Sequence, residues 1–98
     1  MGHYRLTPNA KDDLNHLWQY GLETYGETKA DEYYYRFIER FRLLAEQPLL
    51  YPAVDHIRLG YRRSVCDKQS IYYRIASDEN NIEIIRIIGQ QDIHVSLS

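Results

Sequence analysis

The chain of 98 residues has a single cysteine, Cys66. One thiol can neither close an internal disulfide nor supply a thiolate metal cluster, so a reducing, cytoplasmic setting is the expectation. Long apolar runs are missing as well. The opening "MGHYRLTPNA" lacks the apolar stretch of a secretory signal, and no run approaches the roughly 20 apolar residues that cross a bilayer. No membrane association is expected. A myristoylation signal fails too, because the hydroxyl residue it requires falls at Thr7, one position late, with Leu6 in its place. An excess of one sign of charge is nearly lacking, with 12 cations against 14 acids and a formal net charge of −2. That balance argues against a nucleic-acid coat driven by counterion release, and no direct sequence-specific nucleic-acid binding is expected. Repeats and low-complexity segments are absent, and the length suits one domain spanning residues 1–98.

What the chain does contain is ordered secondary-structure signal. "HYRLT" alternates and predicts a short first strand from His3 to Thr7. Thr7 can cap a helix whose first turn accepts Pro8 and whose positive end favours Asp12 and Asp13. Ala10, Leu14, Leu17, Trp18, Gly21 and Leu22 then recur at spacings of three and four, a stripe that must be buried. Tyr25-Gly26 ends that helix. A second helix carries Ala30, Tyr33, Tyr34, Phe37, Phe41, Leu44 and Ala45 on one side and stops at Pro48. The brief link predicts an antiparallel hairpin with an aromatic seam, in which the tyrosines of "YYY" (Tyr33 to Tyr35) serve packing before any stacking on bases.

Three strand-like runs follow, Leu59 to Cys66, Ile71 to Ala76 and Ile82 to Ile88, joined by the turn-forming links "DKQS" and "SDENN". The expected class is therefore α+β: an N-terminal strand, an antiparallel two-helix hairpin, and a three-stranded antiparallel meander. Together the strands would form one twisted sheet with the helices packed on one face. If the turns close symmetrically, Cys66 faces Ile71 and Ala76 faces Ile82. That register places Ile71, Tyr73, Ile75, Ile85 and Ile87 under the helices. It leaves Tyr61, Arg63, Val65, Tyr72, Arg74, Ile82, Ile84, Arg86 and Ile88 on an open face, with Arg63 directly opposite Arg74. Like charges so placed repel, and an anionic partner would relieve them. Exposed isoleucine, tyrosine and arginine together are the composition of a protein-binding surface. The alternative is that Arg74 and Arg86 pair with Glu83, Asp78 or another acid of the same chain.

Motifs for other chemistries are absent. His3, His16, His56 and His94 fall on different elements, so no zinc site is expected. Gly60 and Gly89 are isolated, with no phosphate loop. Ser64 and Ser70 have no histidine adjacent in sequence. No cofactor is implied.

Taken in order, "YRLTPNAKDDL", "YGLETYGETKADEYYYRF", "LAEQPLLYP", "IRLGYRRSV", "SIYYRI" and "IEIIRIIGQQDI" resemble the ParE toxins of the RelE/ParE toxin-antitoxin superfamily. The resemblance covers nearly the whole chain, and it implies an antiparallel sheet carrying a helix hairpin. Two activities share that fold: RelE-type members cut messenger RNA on the ribosome, whereas ParE-type members poison DNA gyrase. Cutting RNA requires a base, an acid and cationic groups around the phosphorane. Matched to the RelE-like pattern, Gln91 stands where an arginine would, Ser96 or Leu97 near the terminal acid-base residue, and Ser70 where another arginine would be. His94 is then the one candidate proton carrier, with Arg74 and Arg86 as charge stabilisers. The resemblance thus favours a gyrase inhibitor that acts by binding, joined in a hetero-oligomer to a ParD-like antitoxin. The antitoxin would bury Tyr72, Ile82 and Ile84 beside Tyr61 and meet Arg63, Arg74 and Arg86 with its carboxylates. By family analogy the segment from Gly89 through Gln90, Gln91, Asp92, Ile93 and His94 contacts the target.

Overall fold

The computed structural model describes residues 2–77 and 81–89. Its elements run β1 (His3–Leu6), α1 (Pro8–Tyr25), α2 (Glu27–Glu46), β2 (Tyr61–Cys66), β3 (Gln69–Ile75) and β4 (Asn81–Gly89). The strands make one sheet in the order β1-β4-β3-β2, in which β1 runs parallel to β4 and the other pairings are antiparallel. The expected α+β class and helix hairpin are present. The sheet is mixed because the hairpin carries the chain away from β1, leaving β1 to be paired later by the last strand.

Local chemistry explains the hairpin. Thr7 holds an extended backbone and its Oγ1 accepts from the Ala10 N–H at 3.1 Å, with Pro8 in the first helical turn. Gly26 alone joins the helices, at φ +92°, a conformation that suits glycine. The helices also approach closely, since a Cβ on Gly21 would stand 3.4 Å from Ala30 Cα. Trp18 Nε1 donates to Asp31 Oδ1 at 3.0 Å across the seam. Ala10 and Leu14 of α1 and Phe37, Phe41 and Leu44 of α2 then pack on Ile71, Tyr73, Ile82, Ile84 and Ile87 of the sheet. The Tyr73 hydroxyl stays satisfied inside this core by donating to the Pro48 carbonyl at 2.8 Å.

Register is where the structure departs from the symmetric expectation. Asp67 and Lys68 both have positive φ, 49° and 68°, so β2 and β3 meet in a two-residue turn and Cys66 pairs with Gln69, not Ile71. Arg63 therefore lies opposite Tyr72, and Arg74 lies between Tyr61 and Glu83. The expected repulsion of Arg63 and Arg74 does not arise. In the second hairpin Ile75, not Ala76, pairs with Ile82, and the register shifts between Tyr72 and Tyr73, which pair with Arg86 and Ile84. Ile85 is the extra residue of this bulge.

The bulge changes which side chains reach the helices. Ile82 and Ile84, expected on the open face, enter the core together with Ile87, and Ile85, expected in the core, does not join it. The opposite face is partly closed as well. Residues 52–54 run beside β2, with Val54 N–H donating to Tyr61 O at 2.8 Å and Arg63 N–H to Pro52 O at 3.2 Å. Val54, Ile57 and Tyr61 thereby cover Tyr72 and Ile88 in a second, smaller core.

Two side chains of the α1 entrance hold the bulge. β1 pairs with β4 only as far as Leu6 opposite Ile84, so the edge of β4 beyond that point needs other partners. Thr7 N–H donates to Ile84 O at 3.0 Å and Thr7 Oγ1 to Ile85 O at 2.8 Å. Asp13 Oδ2 accepts the Ile87 N–H at 2.9 Å and Arg86 Nε at 2.7 Å, while its Oδ1 accepts Arg86 Nη2 at 3.0 Å. Asp13 is thus committed to β4 and lies outside the first helical turn where the dipole would favour it. Its carboxylate raises the Arg86 pKa further, through the hydrogen bond first. Replacing Asp13 with alanine is expected to lower the unfolding free energy by about 2–3 kcal/mol in a denaturant titration. A loss below about 0.5 kcal/mol, within the range of neutral surface changes, would show that the bulge stands without this clamp.

Candidate functional site

Three surfaces can carry function: a groove between α2 and β2, the sheet face turned away from the helices, and the exit of β4.

The groove arises because β2 is an edge strand protected by residues 52–54 only as far as Arg63. Beyond that point the strand faces the outer side of α2. Tyr35, Leu43 and Val65 line a groove of about 790 Å³, rimmed by Arg36, Glu39 and Asp67. Tyr35 and Val65 are 62% and 43% exposed, large for apolar side chains with no cover. Arg40 forms the floor. Its Nη1 donates to Ser64 Oγ and to the Val65 carbonyl, each at 2.7 Å, and its guanidinium lies 5.6 Å from the Tyr51 ring centre. Arg36 closes one end by pairing with Asp67 at 2.7 Å. Past that ion pair a second, more polar groove of about 540 Å³ continues to the helix-hairpin tip at Tyr20, Tyr25 and Lys29.

Cys66 lies in the first groove but is buried, and burial pushes its thiol pKa up, opposed by the Arg40 guanidinium and reinforced by the Asp67 carboxylate. Burial thus disfavours its thiolate, the form in which a cysteine reacts. Burial likewise raises the Tyr33 and Tyr73 hydroxyls.

The far sheet face holds Tyr61, Arg63 and Arg74 of the expected binding set. Tyr61 packs on the small core, Arg63 Nε donates to Ser70 Oγ at 2.8 Å, and Arg74 Nε pairs with Glu83 Oε1 at 2.8 Å. Glu83 also takes Arg5 Nη2 at 3.0 Å. Tyr72, Ile82 and Ile84 are 0%, 1% and 0% exposed, so no partner reaches them without opening the protein. Arg86 is turned to Asp13 at the α1 edge. The structure therefore gathers Tyr61, Arg63 and Arg74 on one face, buries Tyr72, Ile82 and Ile84, and holds Arg86 at the α1 edge. Gln90, Gln91, Asp92, Ile93 and His94 lie outside the described residues.

The catalytic alternative fares no better among the described residues. Arg74 and Arg86 are committed to carboxylates on different elements, β4 and α1. Among the described residues no group of three His, Cys, Asp or Glu side chains could hold a metal ion, and no helix is long and apolar enough to cross a membrane.

Sequence reasoning did not find the α2-β2 groove, although alternation had turned Val65 outward. Its apolar lining comes from residues more than twenty positions apart, Leu43 on α2 and Val65 on β2, and nothing local marks where they meet. The hold of Asp13 on β4 and of Arg40 on β2 escapes sequence reasoning for the same reason.

Residues 4–94 match the family model described as ParE toxin of type II toxin-antitoxin system, parDE. A curated relative named Toxin ParE1 from Caulobacter vibrioides is 31% identical over 90 residues, covering 92% of this chain and 91% of the relative. Another Toxin ParE1, from Mycobacterium tuberculosis, is 27% identical over 88 residues and covers 90% and 89%. Among solved structures, a chain described as the chromosomal ParDE TA system from P. aeruginosa superposes with a TM-score of 0.72 at 22% identity, covering 91% of this chain and 95% of that one.

The raised pKa values carry a consequence for stability. Because burial lifts Cys66 above 9.0 and Tyr33 and Tyr73 above 10.0, the folded chain holds these protons more tightly than the unfolded chain. Their contribution is complete below about pH 9 and is lost as pH rises through the folded values. Melting temperature should fall as pH rises from about 9 to about 11, and less steeply in a Tyr33→Phe variant. A midpoint that rises over that interval would contradict the assignment.

Proposed function

The chain belongs to the ParE toxin family of type II toxin-antitoxin systems, and from that premise we propose that it inhibits DNA gyrase by binding, in the cytoplasm, under restraint by a ParD-like antitoxin. The observation that carries the binding reading is the commitment of Arg74 to Glu83 and of Arg86 to Asp13. Stabilising a phosphorane needs cationic donors aimed at one point, and these two guanidiniums are anchored apart, Arg74 beside Glu83 on β4 and Arg86 beside Asp13 on α1. Binding alone suffices for toxicity. Gyrase passes through an intermediate in which DNA is cut and covalently held, and a ligand that prefers this state over the resealed one raises its population by its differential affinity.

The antitoxin fits the α2-β2 groove. Tyr35, Leu43 and Val65 offer apolar anchors beside a strand edge, the two features used by a segment that folds on binding. Charged side chains around the groove, Arg36 and Arg40 against Glu39 and Asp67, would set orientation and register. This placement replaces the sheet-face contact expected from the sequence, because Ile82, Ile84 and Tyr72 are already buried within the chain.

Two experiments test these readings separately. Purified gyrase supplied with the toxin should lose supercoiling activity and accumulate cut, protein-linked DNA, and supercoiling that stays normal at saturating toxin overturns the target. In a titration with the antitoxin, Val65→Asp should weaken binding by about tenfold or more, the loss of roughly 1.4 kcal/mol or more typical of a central anchor. Unchanged affinity in that variant, with the fold intact by circular dichroism, removes the antitoxin from the groove.

A further inference from the structure

Charge is divided between the two layers of this protein. On the described helices acids outnumber cations, with Asp12, Asp13, Glu23, Glu27, Asp31, Glu32, Glu39 and Glu46 against Lys11, Lys29, Arg36, Arg40 and Arg42. On the described strands and their connections the balance reverses, with Arg5, Arg58, Arg62, Arg63, Lys68, Arg74 and Arg86 against Asp55, Asp67 and Glu83. A net charge of −2 conceals this polarity.

Register brings part of the basic layer into a line. Arg5 pairs with Glu83, Glu83 with Arg74, and Arg74 with Tyr61, so the row crosses all four strands on the face away from the helices. At about 4.8 Å between strands it spans about 14 Å. Glu83 sits between two arginines, taking Arg5 Nη2 at 3.0 Å and Arg74 Nε at 2.8 Å, and is itself only 15% exposed. One carboxylate offsets one guanidinium, so the pair of arginines keeps positive charge. Their side chains remain 68% and 42% exposed. Arg58 extends the row by lying 5.9 Å from the Tyr61 ring centre.

We propose that this row binds the phosphate backbone of double-stranded nucleic acid without regard to sequence. Three observations select that occupant. The cations of the row are all arginine, whose planar fork grips a phosphate through paired donors. None of the large exposed apolar side chains belongs to the row, which therefore lacks the anchors that a specific protein interface needs. Its one aromatic ring, Tyr61, is packed on the small core and faced by Arg58, so no platform is free to stack the bases of a single strand. Glu83 orients both guanidiniums while setting a limit on affinity. The proposal does not rest on gyrase as the target, and it leaves the α2-β2 groove free for another partner.

Fluorescence anisotropy of the full chain with short DNA and RNA duplexes of arbitrary sequence tests it. Binding should weaken steeply as salt rises, because each phosphate contact releases a counterion. Arg5→Gln and Arg74→Gln should each lower the slope of log affinity against log salt by about one. Glu83→Gln should bind more tightly than the parent, a gain that misfolding cannot imitate. Binding to either duplex supports the proposal, and the tighter of the two names the source of the phosphate. Absence of binding at low salt, a slope untouched by both arginine changes, or equally effective displacement by poly-glutamate would overturn it.

Discussion

The hold of the α1 entrance on the bulge of β4 is the constraint on which the rest of the molecule depends. β4 is nine residues long and its parallel neighbour β1 only four, so the longer strand would present unpaired backbone along its edge. Thr7 and Asp13 meet that need with a hydroxyl and a carboxylate, and the carboxylate also takes the adjacent guanidinium. Inserting Ile85 as an extra residue keeps Ile82, Ile84 and Ile87 on the helix side even though their numbers change parity. Without the insertion one half of β4 would turn its isoleucines to water. The same insertion turns Arg86 to the α1 edge and leaves Arg74 and Glu83 on the far face, which decides where each charge can act.

Much of this fold was legible in the sequence, and its limits have physical causes. Thr7-Pro8, the stripe from Ala10 to Leu22, Gly26 and Pro48 are local signals, and the helices begin and end within a residue or two of them. The strands were legible as runs but not in register. One difference lies in the turn, because symmetric closure of "DKQS" sets Cys66 against Ile71 whereas Asp67 and Lys68 alone make the link in left-handed conformation and set Cys66 against Gln69. A second lies in the bulge, which is fixed by bonds from residues more than seventy positions away and leaves no mark in "IEIIRIIG" itself. A one-residue slip exchanges the faces of a strand, which is how Ile82 and Ile84 came to be expected outside. The alternative pairing of Arg74 with Glu83 was visible in the sequence, whereas the pairing of Arg86 with Asp13 required the fold.

The functional surfaces follow from this partition. The helical side and the β2 edge offer apolar contacts in a groove, suited to a partner that orders as it binds. The far face offers arginine in a row, suited to a repeating anion. Neither arrangement converges on a reacting atom. Family membership supplies the toxin-antitoxin context, and under the proposed function the distribution of charge and apolar surface would serve it through adhesion.

The most direct test of that account is induction of the chain in living cells without antitoxin, with chromosomal DNA breaks and transcript ends followed in the same culture over the first minutes. The account predicts that DNA breaks accumulate while transcripts keep their native ends. Transcripts cut at defined positions within translated regions, in cells whose chromosomes remain whole, would contradict it.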